Sequence, residues 1–357
     1  MISLTTQTFH RSIAIISKIH HQISATVTRR RLKLHYSTVA ISREIPDSFI
    51  DAISFHYDQS SSHDGGDAAT TARSSPDEGV SLLKSREQHS NYLNILGQHV
   101  PKLICLPPLE SHPDCLFVED SMVAIQDTVV LTRMGHESRR GEVDDSIKGV
   151  LYDQLGLRNV FDMNNVDDQR ILFNDESSSA SDSGSSEVTC DGGDVLYTGR
   201  HLFVGLTNRT NQVGFQCLRN VFAHHHGIMD AADVIPIPMM SLQGSDKGGG
   251  VLHLKSAVTH IDEETLLIPE GKFGDILAEE MKVAERGYTA IRLPDVLSCN
   301  AVVVNGHVMA QDSPCSVSKQ RIEQACQERN LDLTFVDTSE LAKKDAALTC
   351  CSVLLTV

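Results

Sequence analysis

The pattern of apolar and polar positions predicts strands and helices in alternation from about residue 38 onward. Residues 35–42 alternate as a strand does, and the chain then turns into a short helix that Asp47 or Ser48 caps. The apolar run Lys102–Leu106 predicts another short strand, in which Cys105 is expected to be a core residue.

A longer helical pattern covers residues 77–97, where apolar side chains recur at the spacing of one helix face. The predicted inner face consists of Val80, Leu83, Tyr92, Leu93 and Leu96. Further along, apolar residues predict one strand over 122–132, a helix over 142–155 and a strand over 160–163. Strands that alternate with helices indicate an α/β protein.

A hairpin with an acidic mouth is predicted in the middle of the chain. Gly192 and Gly193 supply a tight backbone between two carboxylates, Asp191 and Asp194. An apolar strand follows, and a glycine turn leads into a second strand over 201–206. The hairpin therefore brings acidic groups to one end of a strand pair.

The second half of the chain continues with a helix over 211–222 and strands over 234–238 and 251–256. In the last of these strands, His253 alternates with leucine, and a histidine in such a place is usually a core residue. Arg209 lies just before the helix, where its guanidinium and nearby backbone N–H groups could hold a carboxylate.

Three segments rich in small polar residues interrupt this pattern, at 58–79, 174–188 and 243–250. Their composition cannot bury enough apolar surface to form a core. We therefore expect polar surface insertions in a single domain that spans residues 37–357.

The beginning of the chain has a different character. Before Glu44 it carries seven Lys and Arg residues and no Asp or Glu, and its apolar residues recur near helical spacing. This amphipathic, acid-poor pattern indicates a basic leader over residues 1–36 and favours an organelle presequence. A disordered basic tail and a misassigned start codon are the alternatives.

Composition narrows the classes of partner and compartment. The formal net charge of −16 argues against nucleic acid or an anionic membrane surface and permits a cationic small-molecule substrate. Nine cysteines without paired C-x-x-C spacing indicate reduced thiols in a mitochondrial or cytoplasmic protein. No apolar run approaches the about 18 residues that a membrane span needs.

Two adjacent carboxylates, Glu119 and Asp120, follow an apolar segment and precede the strand over 122–132. Neighbouring carboxylates repel each other and lose solvation on burial unless a cation faces them. In isolation, a solvated turn explains this pair, and a surface helix start explains Arg139 and Arg140.

Cys350 and Cys351 stand between leucine and valine residues near the end of the chain. A cysteine in such company is more often a small buried hydrophobe than a nucleophile. Its thiolate can react only if the fold carries this segment into a polar cleft. The contiguous histidines 224–226 look like a metal tract, but three successive side chains cannot all face one ion.

Five separated blocks in one order resemble the dimethylarginine dimethylaminohydrolase family. The blocks are 113–120, 132–133 with 138–140, 191–196 through 205–212, 252–256, and 339–341 leading to 348–354. The resemblance covers 38–354, interrupted by the polar insertions. It implies the fold of the guanidino-group-modifying superfamily, the pentein fold, which is a five-bladed α/β propeller of repeated strand-strand-helix-strand units.

The resemblance also implies a reaction. Asymmetric Nω-methylated arginines would be hydrolysed to citrulline and dimethylamine or methylamine through a covalent thiouronium on cysteine. By this resemblance Cys350 is the nucleophile, and His253 is the general acid and later the base. Asp191 would orient His253 and favour its protonated form, while His253 and the substrate cation would lower the thiol pKa.

Further residues of the resemblance would hold the substrate. Glu119 and Asp120 would meet the guanidinium, which supplies the counter-charge that a buried carboxylate pair needs. Arg139 and Arg209 would hold the α-carboxylate, and Asp114 would lie near the α-amino group.

The pocket would be closed by Asp345 and by the main chain of Lys344, where the family has an apolar side chain. By ungapped counting, Ser54 stands where an apolar lid residue is expected.

Two other functions share some of these features. An arginine deiminase or amidinotransferase has the same fold, but the Cys-Cys ending and the block 252–256 speak against it. A non-catalytic arginine-binding relative would need neither a nucleophile nor an acid-base partner. We expect no cofactor and no required metal, although zinc bound by Cys350 would inhibit. The sequence leaves a monomer and a homodimer open.

Overall fold

The strands of this protein pair in groups of three. The computed structural model describes residues 36–53, 79–165, 168, 187–240 and 251–357, and in these ranges fifteen strands form five three-stranded sheets. The strands are β1 (Val39–Arg43), β2 (Lys102–Leu106), β3 (Met122–Ile125), β4 (Thr128–Leu131), β5 (Asn159–Asp162), β6 (Val195–Tyr197), β7 (Leu202–Gly205), β8 (Val234–Ile237), β9 (Thr259–Asp262), β10 (Thr265–Pro269), β11 (Thr289–Leu293), β12 (Ala301–Val304), β13 (His307–Gln311), β14 (Asp332–Val336) and β15 (Val353–Leu355).

Helices connect the strands that run parallel. They are α1 (Leu82–His99), α2 (Asp145–Gly149), α3 (Gln212–Arg219), α4 (Gly271–Glu280) and α5 (Ser316–Arg329). Two of them continue as a π-helical turn, α2 into Val150–Gln154 and α3 into Asn220–His225. None of the helices in the described ranges is long and apolar enough to cross a membrane.

Four of the sheets repeat one unit. In the first of them β3 pairs antiparallel with β4, and β5 pairs parallel with β4 after the chain has passed through α2. A parallel neighbour needs such a crossover, whereas an antiparallel neighbour needs only a short turn. The same order recurs in β6–β8, β9–β11 and β12–β14. The predicted strand-strand-helix-strand unit is therefore observed, and the arrangement of five blades as a propeller stays a prediction.

The fifth sheet is assembled from segments far apart in the sequence. Strand β15 pairs antiparallel with β1, with Leu355 opposite Val39, and β1 pairs parallel with β2 across α1. The backbone N–H of Thr38 donates to the carbonyl of Leu355 at 2.8 Å, which extends this pairing by one residue. The segment that carries Cys350 is thus fixed by a sheet on its carboxyl side.

A short 3-10 helix precedes the first strand of each sheet unit. These five turns are Val118–Ser121, Gly192–Asp194, Leu254–Ser256, Leu297–Cys299 and Thr349–Cys351. Residues in or beside the turns include most of the carboxylates, the histidine and the cysteines singled out from the sequence. The repeat therefore places residues at corresponding positions of different units, where together they can form one site.

The structure corrects several predicted elements. The single strand over 122–132 is a hairpin of β3 and β4, in which Gln126 turns the chain with φ 56°. Cys105 is exposed rather than in the core, although its strand Lys102–Leu106 is confirmed. Leu83 is 79% exposed, on the face of α1 opposite the buried residues Tyr92 and Leu96, and is not part of the inner face.

Two further predictions were wrong in their local detail. The helix Asp47–Asp51 has no side-chain cap, because the amides of Asp47 and Ser48 donate instead to the carboxylate of Glu110 at 3.1 and 3.3 Å. Residues 251–256 do not form a strand. His253 is extended there and is followed by the 3-10 helix Leu254–Ser256.

The domain boundary at residue 36 and the polar insertions stay predictions. Residues 37–357 form one compact unit. Most of the leader and of the segments 58–79, 174–188 and 243–250 lies outside the described residues.

Two leucines of α1 provide a test of this packing. Leu96 is fully buried in a cluster with Phe49, Tyr92 and Leu348, whereas Leu83 is exposed. Leu96→Ala should lower the free energy of unfolding by about 2–5 kcal/mol, since it leaves a cavity. Leu83→Ala should change it by less than about 0.5 kcal/mol. Urea unfolding measures both, and equal effects would show that α1 packs through a different face.

Candidate active site

The 3-10 helix Thr349–Cys351 presents two adjacent cysteines differently. Cys351 is 1% exposed and packs in an apolar cluster, whereas Cys350 is only partly buried. The turn is held by Asn300, whose Oδ1 accepts from the N–H of Thr349 at 3.1 Å and whose Nδ2 donates to Thr349 Oγ1 at 3.0 Å. Cys350 is therefore the more exposed of the two cysteines, and it lies in a fixed turn.

Glu119 lies directly against this turn. Its Oε2 accepts a hydrogen bond from Thr349 Oγ1 at 3.0 Å, and its Oε1 lies 2.6 Å from Lys255 Nζ. Glu119 is buried, so the ammonium of Lys255 compensates a carboxylate that has lost its solvent. The predicted carboxylate is next to the predicted nucleophile.

Asp120 faces two cationic groups. Its Oδ2 accepts from Arg139 Nη1 at 2.6 Å, its Oδ1 accepts from the N–H of Gly193 at 2.9 Å, and His253 Nδ1 lies 3.8 Å from Oδ1. Burial raises the pKa of this carboxyl, but the charges of His253 and Arg139 outweigh burial and hold the pKa below its usual range. Asp120 is therefore ionised, and the solvated-turn interpretation of the pair is wrong.

His253 bridges Asp120 and Asp191. Its Nε2 donates to Asp191 Oδ2 at 3.0 Å, and Asp191 Oδ1 accepts from the N–H of Gly135 at 2.8 Å. Burial lowers the pKa of His253, but the charge of Asp120 and the hydrogen bond to Asp191 raise it to about 9. At neutral pH this side chain is an imidazolium that can donate a proton.

The glycine pair after Asp191 makes this close approach feasible. A Cβ at Gly193 would lie 2.6 Å from His253 Nδ1 and 2.7 Å from Asp120 Oδ1. A Cβ at Gly192 would lie 2.0 Å from the carbonyl oxygen of Glu119. Any side chain at either position would push the turns of neighbouring units apart.

The thiol of Cys350 is held in its protonated form. Burial raises its pKa well above the usual value, and the charges of Glu119 and Asp120 raise it further. The pKa is raised although the imidazolium of His253 lies beside Asp120. Lowering of this pKa by a substrate cation stays a prediction.

Arg139 is enclosed by protein groups. Its Nε and Nη2 donate to the two oxygens of Glu142, each at 2.8 Å, and Nη2 lies 3.3 Å from the carbonyl oxygens of Asp114 and Phe117. Arg139 lies in the 3-10 helix Glu137–Glu142, as a helix start at this place predicts, but it is buried rather than on the surface. In this arrangement it organises the acidic turn, and contact with a substrate carboxylate stays a prediction.

Asp114 and Arg209 are both buried in one region. Burial raises the pKa of Asp114, and the charges of Arg139 and Arg209 oppose that shift. Asp114 Oδ1 accepts from the N–H of Ile53 at 3.1 Å. Arg209 also fills space behind Asp191, because its Cα lies 2.5 Å from where a Cβ of Gly135 would be.

Of the three remaining predicted pocket residues, the structure describes two. Lys344 donates through Nζ to the carbonyl of Ala52 at 2.9 Å, so its side chain, and not only its main chain, has a partner. Asp345 is exposed and has φ 56°. Ser54 lies outside the described residues.

Four residues of this site were missed as functional positions in the sequence: Lys255, Asn300, Thr349 and Asp194. Asp194 is buried and accepts from the N–H of Leu254 at 3.0 Å and from Thr207 Oγ1 at 2.6 Å. It thereby holds the turn that follows His253. Asp194 could have been found from its place in the Asp-Gly-Gly-Asp motif of the sequence. Asn300 could have been found from its place just after a 3-10 turn of the repeat.

One set of metal-ligand side chains comes together in the described ranges. Ligand atoms of Asp120, Asp191 and His253 lie within 4.8 Å of one another. Protein donors already bind the carboxylate oxygens of Asp120 and Asp191. His225 and His226 instead contact the ring of Phe161 edge-on. Inhibition by zinc at Cys350 stays a prediction.

Known proteins similar to this chain include dimethylarginine dimethylaminohydrolases. No family model matches the chain. A curated relative, the N(G),N(G)-dimethylarginine dimethylaminohydrolase of Streptomyces coelicolor, is 27% identical over 287 residues, which cover 79% of this chain and 89% of the relative.

Solved structures share the fold. The dimethylarginine dimethylaminohydrolase of Pseudomonas aeruginosa, as a mutant in complex with citrulline, matches with a TM-score of 0.64 and 22% identity over 89% of this chain and 99% of that one. The N-terminal domain of the cyanobacterial arginine dihydrolase ArgZ, bound to substrate, matches with a TM-score of 0.60 and 15% identity, again over 89% and 99%.

The five sheets and these neighbours define an α/β protein of the pentein fold. Within that class, the curated relatives and the shared fold support the resemblance to the dimethylarginine dimethylaminohydrolase family.

The charge of His253 can be tested directly. Asp120→Asn removes the carboxylate whose charge raises the histidine pKa, so that pKa should fall from about 9 toward or below its ordinary value. NMR titration of ring-labelled histidine measures this shift. An unchanged pKa would mean that Asp191 alone sets the charge.

The raised pKa also affects stability. The stabilisation from this ionised histidine should be fully present below its unfolded pKa of about 6.5 and should be lost as pH rises through about 9. The free energy of unfolding should therefore fall less over this range in Asp120→Asn than in the unmodified protein.

Proposed function

We propose that this protein hydrolyses the guanidino C–N bond of asymmetric Nω-methylated arginines. The products are citrulline and dimethylamine or methylamine. The observation that carries the proposal is the place of Cys350 on a fixed turn near Glu119 and Asp120, the second of which also faces the protonated His253. The substrate class comes from the Streptomyces relative, whose name specifies dimethylarginine.

Binding begins with charge. The substrate guanidinium approaches Glu119 and Asp120, the two carboxylates whose charges act on Cys350. The arriving cation offsets the two charges that raise the thiol pKa. The thiol can then release its proton to solvent, and substrate binding itself generates the nucleophile.

The covalent step needs an acid. The thiolate attacks the guanidinium carbon and forms a C–S bond. His253 donates its proton to the departing methylated amine as the C–N bond breaks, leaving a thiouronium on Cys350. The hydrogen bond from His253 Nε2 to Asp191 fixes the ring during this transfer.

The second half regenerates the enzyme. His253, now neutral, accepts a proton from a water molecule that attacks the thiouronium carbon. The C–S bond then breaks with its electron pair on the Cys350 sulfur, the hydroxyl proton of the intermediate passes to that sulfur to restore the thiol, and neutral citrulline leaves. One histidine serves both steps because its proton is lost in the first and regained in the second.

The substrate range tests the proposal. The purified full-length protein, with chelator and reductant present, should form citrulline from dimethylarginine and monomethylarginine but not from unmodified arginine. Citrulline release is the measurement. Turnover of arginine would move the protein to the deiminase reaction, and folded protein without any turnover would contradict the proposal.

The cysteine pair offers a matched comparison. Cys350→Ser should abolish turnover, because a hydroxyl at this position does not ionise at neutral pH. Cys351→Ser should retain most activity, since its sulfur lies in an apolar cluster. Steady-state rates measure both, and circular dichroism checks the fold of each variant. Equal loss in the two folded variants would refute the assignment of the nucleophile.

A further inference from the structure

Lys344 and Asp114 act on one peptide unit from opposite sides. Lys344 Nζ donates to the carbonyl oxygen of Ala52 at 2.9 Å. The N–H of Ile53, which belongs to the same peptide bond, donates to Asp114 Oδ1 at 3.1 Å. The described residues contain no cis peptide bond, so this carbonyl and this N–H point in opposite directions.

This arrangement fixes the orientation of the peptide plane. A single hydrogen bond would let the plane rotate about its flanking bonds, whereas two bonds at opposite edges restrain it. An ammonium on the carbonyl oxygen also polarises the amide and makes its N–H a stronger donor. The hydrogen bond from Lys344 therefore strengthens the hydrogen bond that the carboxylate of Asp114 accepts from Ile53.

Asp114 is the buried carboxylate assigned to the substrate's α-amino group. The charges of Arg139 and Arg209 also act on this carboxylate and oppose the rise of its pKa that burial causes. Lys344 stands in the 3-10 helix Leu341–Lys344, shortly before the turn of Cys350. It thus links the nucleophile segment to the amino-acid end of the pocket.

We propose that Lys344 is a positioning residue that orients Asp114 toward the substrate's α-amino group through the peptide of Ala52 and Ile53. The inference rests on the proposed function. It assigns a role to the side chain at a position where the family resemblance implies an apolar residue. Specificity for a free α-amino group then depends partly on this lysine.

Paired substrates and lysine variants test the inference. Lys344→Met keeps the length of the side chain but removes the donor, and Lys344→Arg keeps a cationic donor. Lys343→Met is the matched control, because Lys343 lies in the same helix and pairs with Glu340 at 3.0 Å instead of with Ala52. The substrates are monomethylarginine and its analogue without the α-amino group.

Lys344→Met should raise KM for monomethylarginine by about three- to tenfold, the range expected for one charge-assisted hydrogen bond that acts indirectly, with kcat nearly unchanged. KM for the desamino analogue should stay the same. Lys344→Arg should restore most of the loss, and Lys343→Met should alter neither substrate. In an Asp114→Asn background, Lys344→Met should have little further effect.

An equal KM increase for both substrates, or a loss confined to kcat, would overturn the inference. Hydrogen exchange separates it from the proposed function. If the unmodified protein hydrolyses neither methylated arginine, the proposed function fails, and the exchange rate of the Ile53 amide then decides whether Lys344 restrains the Ala52–Ile53 peptide. Faster exchange in Lys344→Met than in Lys343→Met supports this restraint, and equal rates refute it.

Discussion

Compensation of buried negative charge is the constraint on which this site depends. Glu119 is neutralised by Lys255, Asp120 by Arg139 and His253, and Asp191 by the same histidine. Each of these carboxylates would cost several kcal/mol if it were buried without a partner. Because the histidine serves two carboxylates, removing one member changes the charge state of the others. These contacts join turns of different sheet units.

This compensation leaves the site prepared for a cation. Asp120 is ionised before a substrate arrives, so no proton has to leave it on binding. The histidine is already an acid, and burial together with the charges of Glu119 and Asp120 holds the thiol in its unreactive form. A cationic substrate changes the one group that is not yet in its working state, and unproductive thiol chemistry is suppressed in its absence.

The sequence predicted the parts of the fold that depend on local pattern. The strand Lys102–Leu106, the central hairpin and the alternation with helices follow from periodicity alone. The single strand over 122–132 failed because the turn at Gln126 is set by neighbouring contacts, which periodicity does not contain. The site residues were predicted from the family resemblance. That resemblance was recognised from the order of separated sequence blocks rather than from their spacing.

Lys255 and Asn300 could not be predicted in the same way. Lysine and asparagine are common at surfaces, and nothing in their own segments indicates a buried partner. Lys255 meets Glu119 and Asn300 meets Thr349 only because corresponding turns of different units converge. Recognition of the repeat before assignment of the site would have directed attention to Asn300, which follows the turn of the fourth unit.

The pairing of β15 with β1 has a consequence for how activity appears during folding. Local hairpins such as β3–β4 can form early, but this strand pair closes a loop through nearly the whole domain and carries the large entropic cost of distant contacts. The nucleophile lies immediately beside that closure. Partly folded forms can therefore contain several finished sheets and still lack a catalytic centre, so recovered turnover during refolding reports the completed domain rather than its secondary structure.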